Sequence, residues 1–292
     1  MIEETMVTCR KKSRSILLVN ASVLLFGAAG LFVKWILLPA IAITFGRVFL
    51  SAVTLFIFCS AQKQPLRIKE RGAIAALFMA GAVLALHWSM FFLSIELSTV
   101  AIGTITFSAF PLFITFLEPV FFKERLLIRN IAAALFIMAG VIITIPQFSF
   151  ENQAVLGIAA GMSSSLAYAA LTLINRRLAK SQPSALIAFY EQAFAAVTLL
   201  PCLFYIKTQP SPQDIALLAL LGVVMTALAH TLFISTLKHL TARTVGVISS
   251  LEAVYGIALA LVLLGEIPSL REIAGGAVII GAVIINQLAA SD

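Results

Sequence analysis

Residues 94–126 read SIELSTVAIGTITFSAFPLFITFLEPVFFKERL, and this stretch decides the fold class. Its central part, residues 100–121, is apolar throughout and as long as the roughly 20 residues that a helix needs to cross a bilayer. The charged residues Lys123, Glu124 and Arg125 end the run, as expected where a helix leaves the membrane on its cytoplasmic side. The stretch therefore predicts a membrane-spanning helix with a basic inner end.

The whole chain has the composition of an integral membrane protein. Hydrophobic residues make up 61% and charged residues 11% of its 292 positions, with a mean hydropathy of +1.06. A soluble domain cannot bury that much apolar surface, and continuous apolarity favours helices over barrel strands, which alternate. We predict an all-α fold with ten transmembrane helices, near 15–34, 39–60, 72–92, 100–121, 127–145, 154–175, 184–205, 215–235, 244–265 and 270–288.

Lysine and arginine alternate between the two sides of these ten spans. Sixteen fall on the side of the N-terminus and three on the other, while Arg47 lies inside the second span. Positive residues accumulate on the cytoplasmic side, so we expect both termini in the cytoplasm of a multi-pass protein of the bacterial inner membrane. Arg10, Lys11, Lys12 and Arg14 precede an apolar run that also resembles a signal peptide, but its length favours a retained first span.

The chain repeats itself internally. Residues 94–126 align at an offset of 142 with TLKHLTARTVGVISSLEAVYGIALALVLLGEIP, residues 236–268. The segment PAIAITFGR, 39–47, is answered by PSALIAFYE, 183–191, which sets Arg47 opposite Glu191. We divide the chain into two five-helix repeats, 16–145 and 154–288. Because five is odd, the second repeat lies inverted in the membrane.

Inverted repeats favour transport by alternating access, since two similar halves can exchange conformations around a central cavity. The alternatives are a repeat that only builds a stable bundle, and a membrane enzyme acting on a lipid-linked substrate, which would need acids or histidines clustered near one interface. Three cysteines without CxxC spacing favour neither a disulfide frame nor a metal site, and no phosphate-binding loop appears. We therefore predict a secondary transporter without a cofactor, and not an enzyme.

The segments STVAIGTITFSAFPLF…FFKERL and LVLLGE (261–266) resemble the paired EamA domains of drug/metabolite transporters, particularly YddG-like exporters. Ala253 stands where that family commonly has a proline. The resemblance covers about 16–145 and 154–288. It implies ten helices in inverted repeats and export of small metabolites, amino acids foremost. Import or exchange of a cofactor-like metabolite is the alternative. The partners we expect are a small-molecule substrate and the lipid bilayer, with proton coupling as an option, no nucleic acid, and a monomer or homodimer.

Ionisable residues inside spans are costly in lipid and mark candidate sites. Arg47 suits a substrate carboxylate through a bidentate contact, with a structural ion pair to Glu191 or Glu252 as the alternative. Glu191 and Glu252 lie well inside their spans, where a carboxylate with little water binds a proton more readily. Either acid is thus a candidate for proton coupling, or for a bond that joins the repeats.

Other polar residues extend the candidate substrate site. Ser249 and Tyr255 stand three residues from Glu252, which predicts a shared helix face. Tyr168 and Tyr190 are candidates for stacking with an aromatic substrate. We place His87 and Trp88 near the outer end of the third span, with Trp88 as an interface anchor or a ligand-stacking residue.

Glu118 and Pro119 lie at the inner end of the fourth span. Pro119 removes a backbone donor and can bend the helix, while Glu118 is close enough to water to line a mouth or to pair with a nearby arginine or lysine. We interpret the two residues as a cytoplasmic gate.

Overall fold

Apolar length and helix-capping chemistry define the elements of the computed structural model, which describes residues 2–63, 66–68, 71–122, 128–144, 152–240 and 242–288. The described part is helical, without strands, and its α-helices are α1 Ile2–Ala29, α2 Phe32–Trp35, α3 Ala40–Ala61, α4 Arg71–Leu97, α5 Val100–Phe107, α6 Phe110–Phe122, α7 Ile128–Thr144, α8 Gln153–Leu178, α9 Ser184–Leu199, α10 Pro212–Gly222, α11 Ala229–Thr236, α12 Ala242–Ser249, α13 Leu251–Leu264 and α14 Leu270–Leu288.

Two short helical segments of other types complete this list. A 3-10 turn, Leu200–Tyr205, follows α9, and a π-helical turn, Val223–Leu228, joins α10 to α11. A capping box of Ser211 and Asp214 starts α10. The Ser211 hydroxyl accepts a hydrogen bond from the backbone N–H of Asp214, and the Asp214 carboxylate accepts one from the backbone N–H of Ser211.

Eight helical stretches in the described part are long and apolar enough to cross a membrane: Ser13–Trp35, Ala40–Ala61, Gly72–Leu97, Val100–Phe121, Gln153–Leu178, Ser184–Tyr205, Pro212–Thr236 and Thr244–Leu264. They agree with eight of the ten predicted spans. Helices α7 and α14 occupy the positions of the fifth and tenth spans. The multi-pass helical membrane fold is confirmed, while the count of ten stays a prediction.

The two halves of the chain interlock. Helix α4 packs on α8 and α9, α3 packs on α9, and α1 packs on α11 and α13, so helices of one half contact mainly helices of the other. The larger apolar core spans both halves, and Phe92, Phe110 and Phe233 are among its fully buried side chains. Many large apolar side chains face outward, including Val120 and Val262, as expected for a surface in contact with lipid.

Polar contacts join the segments between the helices at both ends of the bundle. At one end, which we call the basic end, Tyr190 and Arg176 contact Leu66 and Glu118. At the other end, Asp214, Glu266 and Glu272 accept hydrogen bonds from the segments 37–40 and 99–100, as described below. The connections that share an end in the structure are those that the distribution of lysine and arginine assigns to the same side of the membrane.

Candidate functional site

Two membrane helices are interrupted at positions that correspond in the repeat. The first break lies at Ser108 and Ala109, between α5 and α6, and the second at Ser250, between α12 and α13. Ser108 and Ser250 stand 142 residues apart, which is the repeat offset. Their hydroxyls donate to Thr104 O at 2.9 Å and to Gly246 O at 3.3 Å, four residues back, a bond that commonly bends helices.

A small central cavity adjoins both breaks. About 20 Å³ of it is open to the centre of a water molecule, which is space for about one water. Its walls combine five aromatic rings with three charged or titratable groups: Phe26, Arg47, His87, Trp88, Phe91, Phe107, Tyr168 and Glu252. Phe107 precedes the first break and Glu252 follows the second, so both interrupted helices contribute to the cavity wall.

Arg47 is the largest fully buried side chain of the cavity, with 1% of its surface exposed. Its Nε donates to Thr226 Oγ1 at 3.0 Å, and its Cζ lies 3.8 Å from the centroid of the Trp88 ring. A guanidinium over an indole face is held by cation–π attraction, and its planar fork is suited to a carboxylate. The contacts therefore fix the guanidinium in the wall of the cavity.

The π-helical turn explains why Thr226 is available to Arg47. Thr226 Oγ1 donates to Leu221 O at 2.7 Å, five residues back, and accepts from Arg47. A π turn shifts the side chains that follow it relative to a regular α-helix, and such turns are frequent at functional sites. Thr226 was not predicted, since a threonine in an apolar run carries no signal of a π turn.

Glu252 lies in the first turn of α13, with 4% of its surface exposed. A helix N-terminus favours a negative charge, which offsets part of the cost of burying the carboxylate. Among the residues that the structure describes, no ion pair joins Arg47 to Glu252 or to Glu191, so the proposed structural pair of Arg47 is not formed. The cavity thus presents one guanidinium and one carboxyl group.

His87 and Trp88 lie deeper than predicted. The predicted third span ended at residue 92, whereas α4 continues to Leu97, and the two side chains are 3% and 4% exposed. The position of Trp88 as an interface anchor is therefore wrong. His87 Nδ1 lies 2.8 Å from Ser164 Oγ, and the ring of Tyr168 packs 4.6 Å from that of His87.

Four predicted site residues lie outside the cavity wall. Glu191 contacts His230, with 2.7 Å between Glu191 Oε2 and His230 Nε2. Tyr190 donates to Leu66 O at 2.7 Å.

The remaining two, Ser249 and Tyr255, were expected to share a helix face with Glu252. Ser249 donates back to Val245 O at 2.8 Å, and Tyr255 packs against Gly27 of α1. The helix ends at Ser249 and restarts at Leu251, so the break separates Ser249 from Glu252, whereas Glu252 and Tyr255 lie three residues apart on α13.

Glu118 pairs with Arg176, with 2.5 Å between Glu118 Oε1 and the nearer guanidinium nitrogen. This contact joins α6 of the first half to α8 of the second at the basic end. Helix α6 continues through Pro119 to Phe122, so the interruption of the fourth span falls at Ser108 instead.

The aromatic walls were largely missed at the level of sequence. Phe26, Phe91 and Phe107 were not singled out among the phenylalanines, of which the chain has 22. The paired serines at an offset of 142 were a usable signal for the breaks, because broken helices mark binding sites in inverted-repeat transporters.

Comparison with known proteins agrees with this architecture. The model of the EamA-like transporter family matches residues 13–145 and 155–287. An uncharacterized transporter of Bacillus subtilis is 23% identical over 94% of this chain and 90% of its own length, and the pseudopaline exporter of Pseudomonas aeruginosa is 26% identical over 85% and 86%. A solved structure superposes with a TM-score of 0.72 over 96% of this chain and 99% of its own, at 20% identity, and shows the same fold.

The two family matches together cover most of the chain, and the relatives named above carry the name of transporter or exporter. The chain therefore belongs to the EamA-like transporter family, and it is a transporter, not an enzyme.

Proposed function

We propose that this protein is a ten-helix secondary transporter that exports or exchanges small zwitterionic metabolites, amino acids foremost, by alternating access across a bacterial inner membrane. The observation that carries the proposal is a cavity with aromatic walls that is lined by both Arg47 and Glu252. In the part of the chain that the structure describes, these two side chains do not form an ion pair with each other. A guanidinium and a carboxyl group in a water-poor cavity offer partners for a carboxylate and an ammonium on the same small molecule.

The aromatic walls narrow the substrate class further. The rings of Trp88, Phe91, Phe107 and Tyr168 line the same cavity as Arg47 and Glu252 and give it apolar walls. A substrate with an apolar or aromatic side chain buries that side chain against these rings, while its charged groups meet Arg47 and Glu252. Amino acids with large apolar side chains fit this combination better than sugars or nucleotides, which lack it.

Contacts at both ends of the bundle support alternating access. At the basic end, Glu118 pairs with Arg176, and Tyr190 bonds to Leu66 O. Each contact joins the first half of the chain to the second, so opening the basic end separates these partners.

At the opposite end, three carboxylates of the second half bind backbone or hydroxyl groups of the first: Asp214 Oδ1 accepts from Leu37 N at 3.0 Å, Glu266 Oε1 from Val100 N at 2.8 Å and Glu272 Oε1 from Thr99 Oγ1 at 2.7 Å. In the described conformation both ends are joined, and the central cavity has space for about one water. Each set of contacts is then one gate, with Glu118 in the cytoplasmic gate and Pro119 beside it.

Two observations support the direction and the location. One relative is named an exporter, that of pseudopaline in Pseudomonas aeruginosa. The sixteen-to-three distribution of lysine and arginine supports a cytoplasmic location for the basic end and for both termini. Export then proceeds from the gate of Glu118 and Arg176 toward the gate of Glu266 and Glu272.

A counterflow assay in proteoliposomes tests the function. Vesicles with purified protein are loaded with one unlabelled amino acid at about 100 times its external concentration, and uptake of the same labelled amino acid is followed. We expect transient accumulation for amino acids with apolar or aromatic side chains, and none in vesicles without protein. Absence of counterflow for every amino acid, with counterflow of a sugar or a nucleoside, would contradict the proposal.

A further inference from the structure

A second buried ionisable pair lies beside the central cavity without lining it. His230 Nε2 and Glu191 Oε2 are 2.7 Å apart, and both side chains are 0% exposed. Within the described part of the chain, Glu191 Oε1 and His230 Nδ1 have no hydrogen-bond partner. An ion pair that is structural only is expected to have its remaining polar atoms satisfied, because an unsatisfied buried polar atom loses its hydrogen bonds to water without replacement.

The surroundings of the pair include both aromatic rings and ionisable groups. Helix α1 contributes the ring of Phe26, 6.5 Å from the imidazole of His230, and α4 contributes Trp88 at 5.6 Å. The titratable or charged groups that interact with the pair or with its neighbours come from α3, α4, α8 and α13, and they are Arg47, His87, Tyr168 and Glu252. The amide of Asn175 on α8 also faces Glu191.

We propose that Glu191 and His230 together form a proton-binding site that couples the pH to transport. One proton is held between Glu191 Oε2 and His230 Nε2, which leaves the pair neutral overall, and its release leaves one negative charge in the core. The proton passes to water, or is taken from it, when the bundle opens. No other bond forms or breaks in this step.

The pair is connected to the cavity by two routes. Trp88 contacts both groups: its ring centroid lies 5.6 Å from that of His230 and 3.8 Å from Cζ of Arg47. Thr226, which accepts from Arg47, lies four residues before His230, on the helical segment that leads into α11. A change of charge at the pair therefore changes the field at Arg47, which makes substrate affinity depend on whether the proton is bound.

Trp88 provides a test that needs no substrate. The chain has two tryptophans, so a Trp35→Phe background leaves Trp88 as the single emitter. A protonated imidazole quenches a neighbouring indole, and we expect the emission to fall in one sigmoidal step as the pH is lowered from about 8.5 to about 5.

His230→Gln should abolish this step. The matched control is His87→Gln, because the His87 ring is at a similar distance from Trp88, 6.2 Å, but is not paired with an acid. The control should keep the step. Glu191→Gln, which leaves the imidazole in place, should shift the midpoint. A step that persists in His230→Gln, a step abolished only by His87→Gln, or no step at all overturns the proposal.

The coupling itself rests on the proposed function and is measured by counterflow at a series of pH values. We expect the rate to vary between about pH 5 and 8, and the variation to disappear in His230→Gln. His239→Gln is the control, since the third histidine of the chain is exposed at the end of the bundle. A pH profile unchanged by His230→Gln overturns the coupling.

The two measurements separate the two claims. Fluorescence titration without counterflow of any amino acid would contradict the proposed function and leave the proton site standing. Counterflow of an amino acid without a pH-dependent step in Trp88 emission would overturn the proton site and leave the proposed function standing.

Discussion

At the scale of single residues, the central feature is Arg47, which is fully buried and forms no ion pair with an acid in the described part of the chain. Its charge is stabilised by one neutral hydrogen bond to Thr226 and by the faces of Trp88 and Phe92, at 3.8 and 5.0 Å. Such an environment tolerates a guanidinium less well than water does. A substrate carboxylate that enters the cavity supplies the missing countercharge, which is the physical reason to expect binding there.

The bond between Arg47 and Thr226 predicts the outcome of a conservative substitution. Thr226→Val keeps the volume but leaves Nε of Arg47 without its partner, and the loss of a buried hydrogen bond to a charged group should cost about 1.5–3 kcal/mol. We expect a clear fall in Tm by nanoDSF in detergent. Thr226→Ser, which retains the hydroxyl, should stay near the parent value, and equal losses in both variants would contradict the role of this bond.

Individual site residues were predicted unevenly from the sequence, for identifiable reasons. Arg47, Glu252 and Tyr168 were identified because charge or hydroxyl groups in an apolar run stand out, and all three line the cavity. Tyr190 and Glu191 stood out equally, yet they bond to Leu66 and His230. Sequence reveals that a buried polar group needs a partner, but it does not reveal which partner the packing of distant helices supplies.

At the scale of elements, close helix packing depends on glycines whose neighbours leave no space for a side chain. A Cβ at Gly81 of α4 would lie 2.5 Å from Cβ of Phe194 and 2.9 Å from the carbonyl oxygen of Glu191, both on α9. The contact brings α4, which carries His87 and Trp88, against α9, which carries Glu191. The arrangement of the cavity and that of the Glu191–His230 pair thus depend on the same helix interface.

Gly81→Ala is therefore expected to destabilise the protein by about 1–3 kcal/mol, because α4 and α9 must separate. Gly281→Ala on α14 is the control, since a Cβ there meets nothing within 4 Å. The control should be neutral or slightly stabilising, as for alanine in place of glycine in a helix. Tm values measured on both variants decide this, and a neutral Gly81→Ala would show that the interface is looser than described.

Helix α6 predicts a kinetic effect of its proline. Pro119 lacks the backbone donor of its turn, next to the Glu118–Arg176 contact at the basic end. Pro119→Ala restores that hydrogen bond and stiffens the turn, so we expect slower counterflow, by about 3-fold or more, with little change in the concentration for half-maximal rate. An unaltered rate would remove Pro119 from the gate.

The helices themselves were largely predictable, whereas their irregularities were not. Length and hydropathy located eight spans to within a few residues, because a bilayer imposes one length on every helix. The breaks at Ser108 and Ser250 and the π turn at 223–228 were missed. These depend on single side-chain bonds to carbonyls four or five residues back, which leave the hydropathy pattern unchanged.

At the scale of the whole molecule, the charge asymmetry and the inverted repeat predict which end faces the cytoplasm. Lys63 lies at the basic end, whereas Lys207 follows the 3-10 turn at the opposite end, and both are exposed. Substitution of the cysteines Cys9, Cys59 and Cys202 by serine gives a background for single-cysteine labelling.

In intact cells, Lys207→Cys should react with a membrane-impermeant maleimide, and Lys63→Cys should react only after permeabilisation. Mass spectrometry of the purified variants gives the labelled fraction. The opposite pattern would invert the topology and exchange the roles of the two gates.

The central claim is that one cavity holds the carboxylate of the substrate at Arg47 and its ammonium at Glu252. Competition in the counterflow assay tests it most directly, with an active amino acid, its decarboxylated amine and its deaminated acid as unlabelled competitors.

We predict that the amino acid competes about 10- to 100-fold better than either analogue, since each analogue leaves one buried charge without its partner. Arg47→Ala should remove the preference for the amino acid over the amine, and Glu252→Gln its preference over the acid. Equal competition by all three compounds, or an unchanged preference in both variants, would contradict the account.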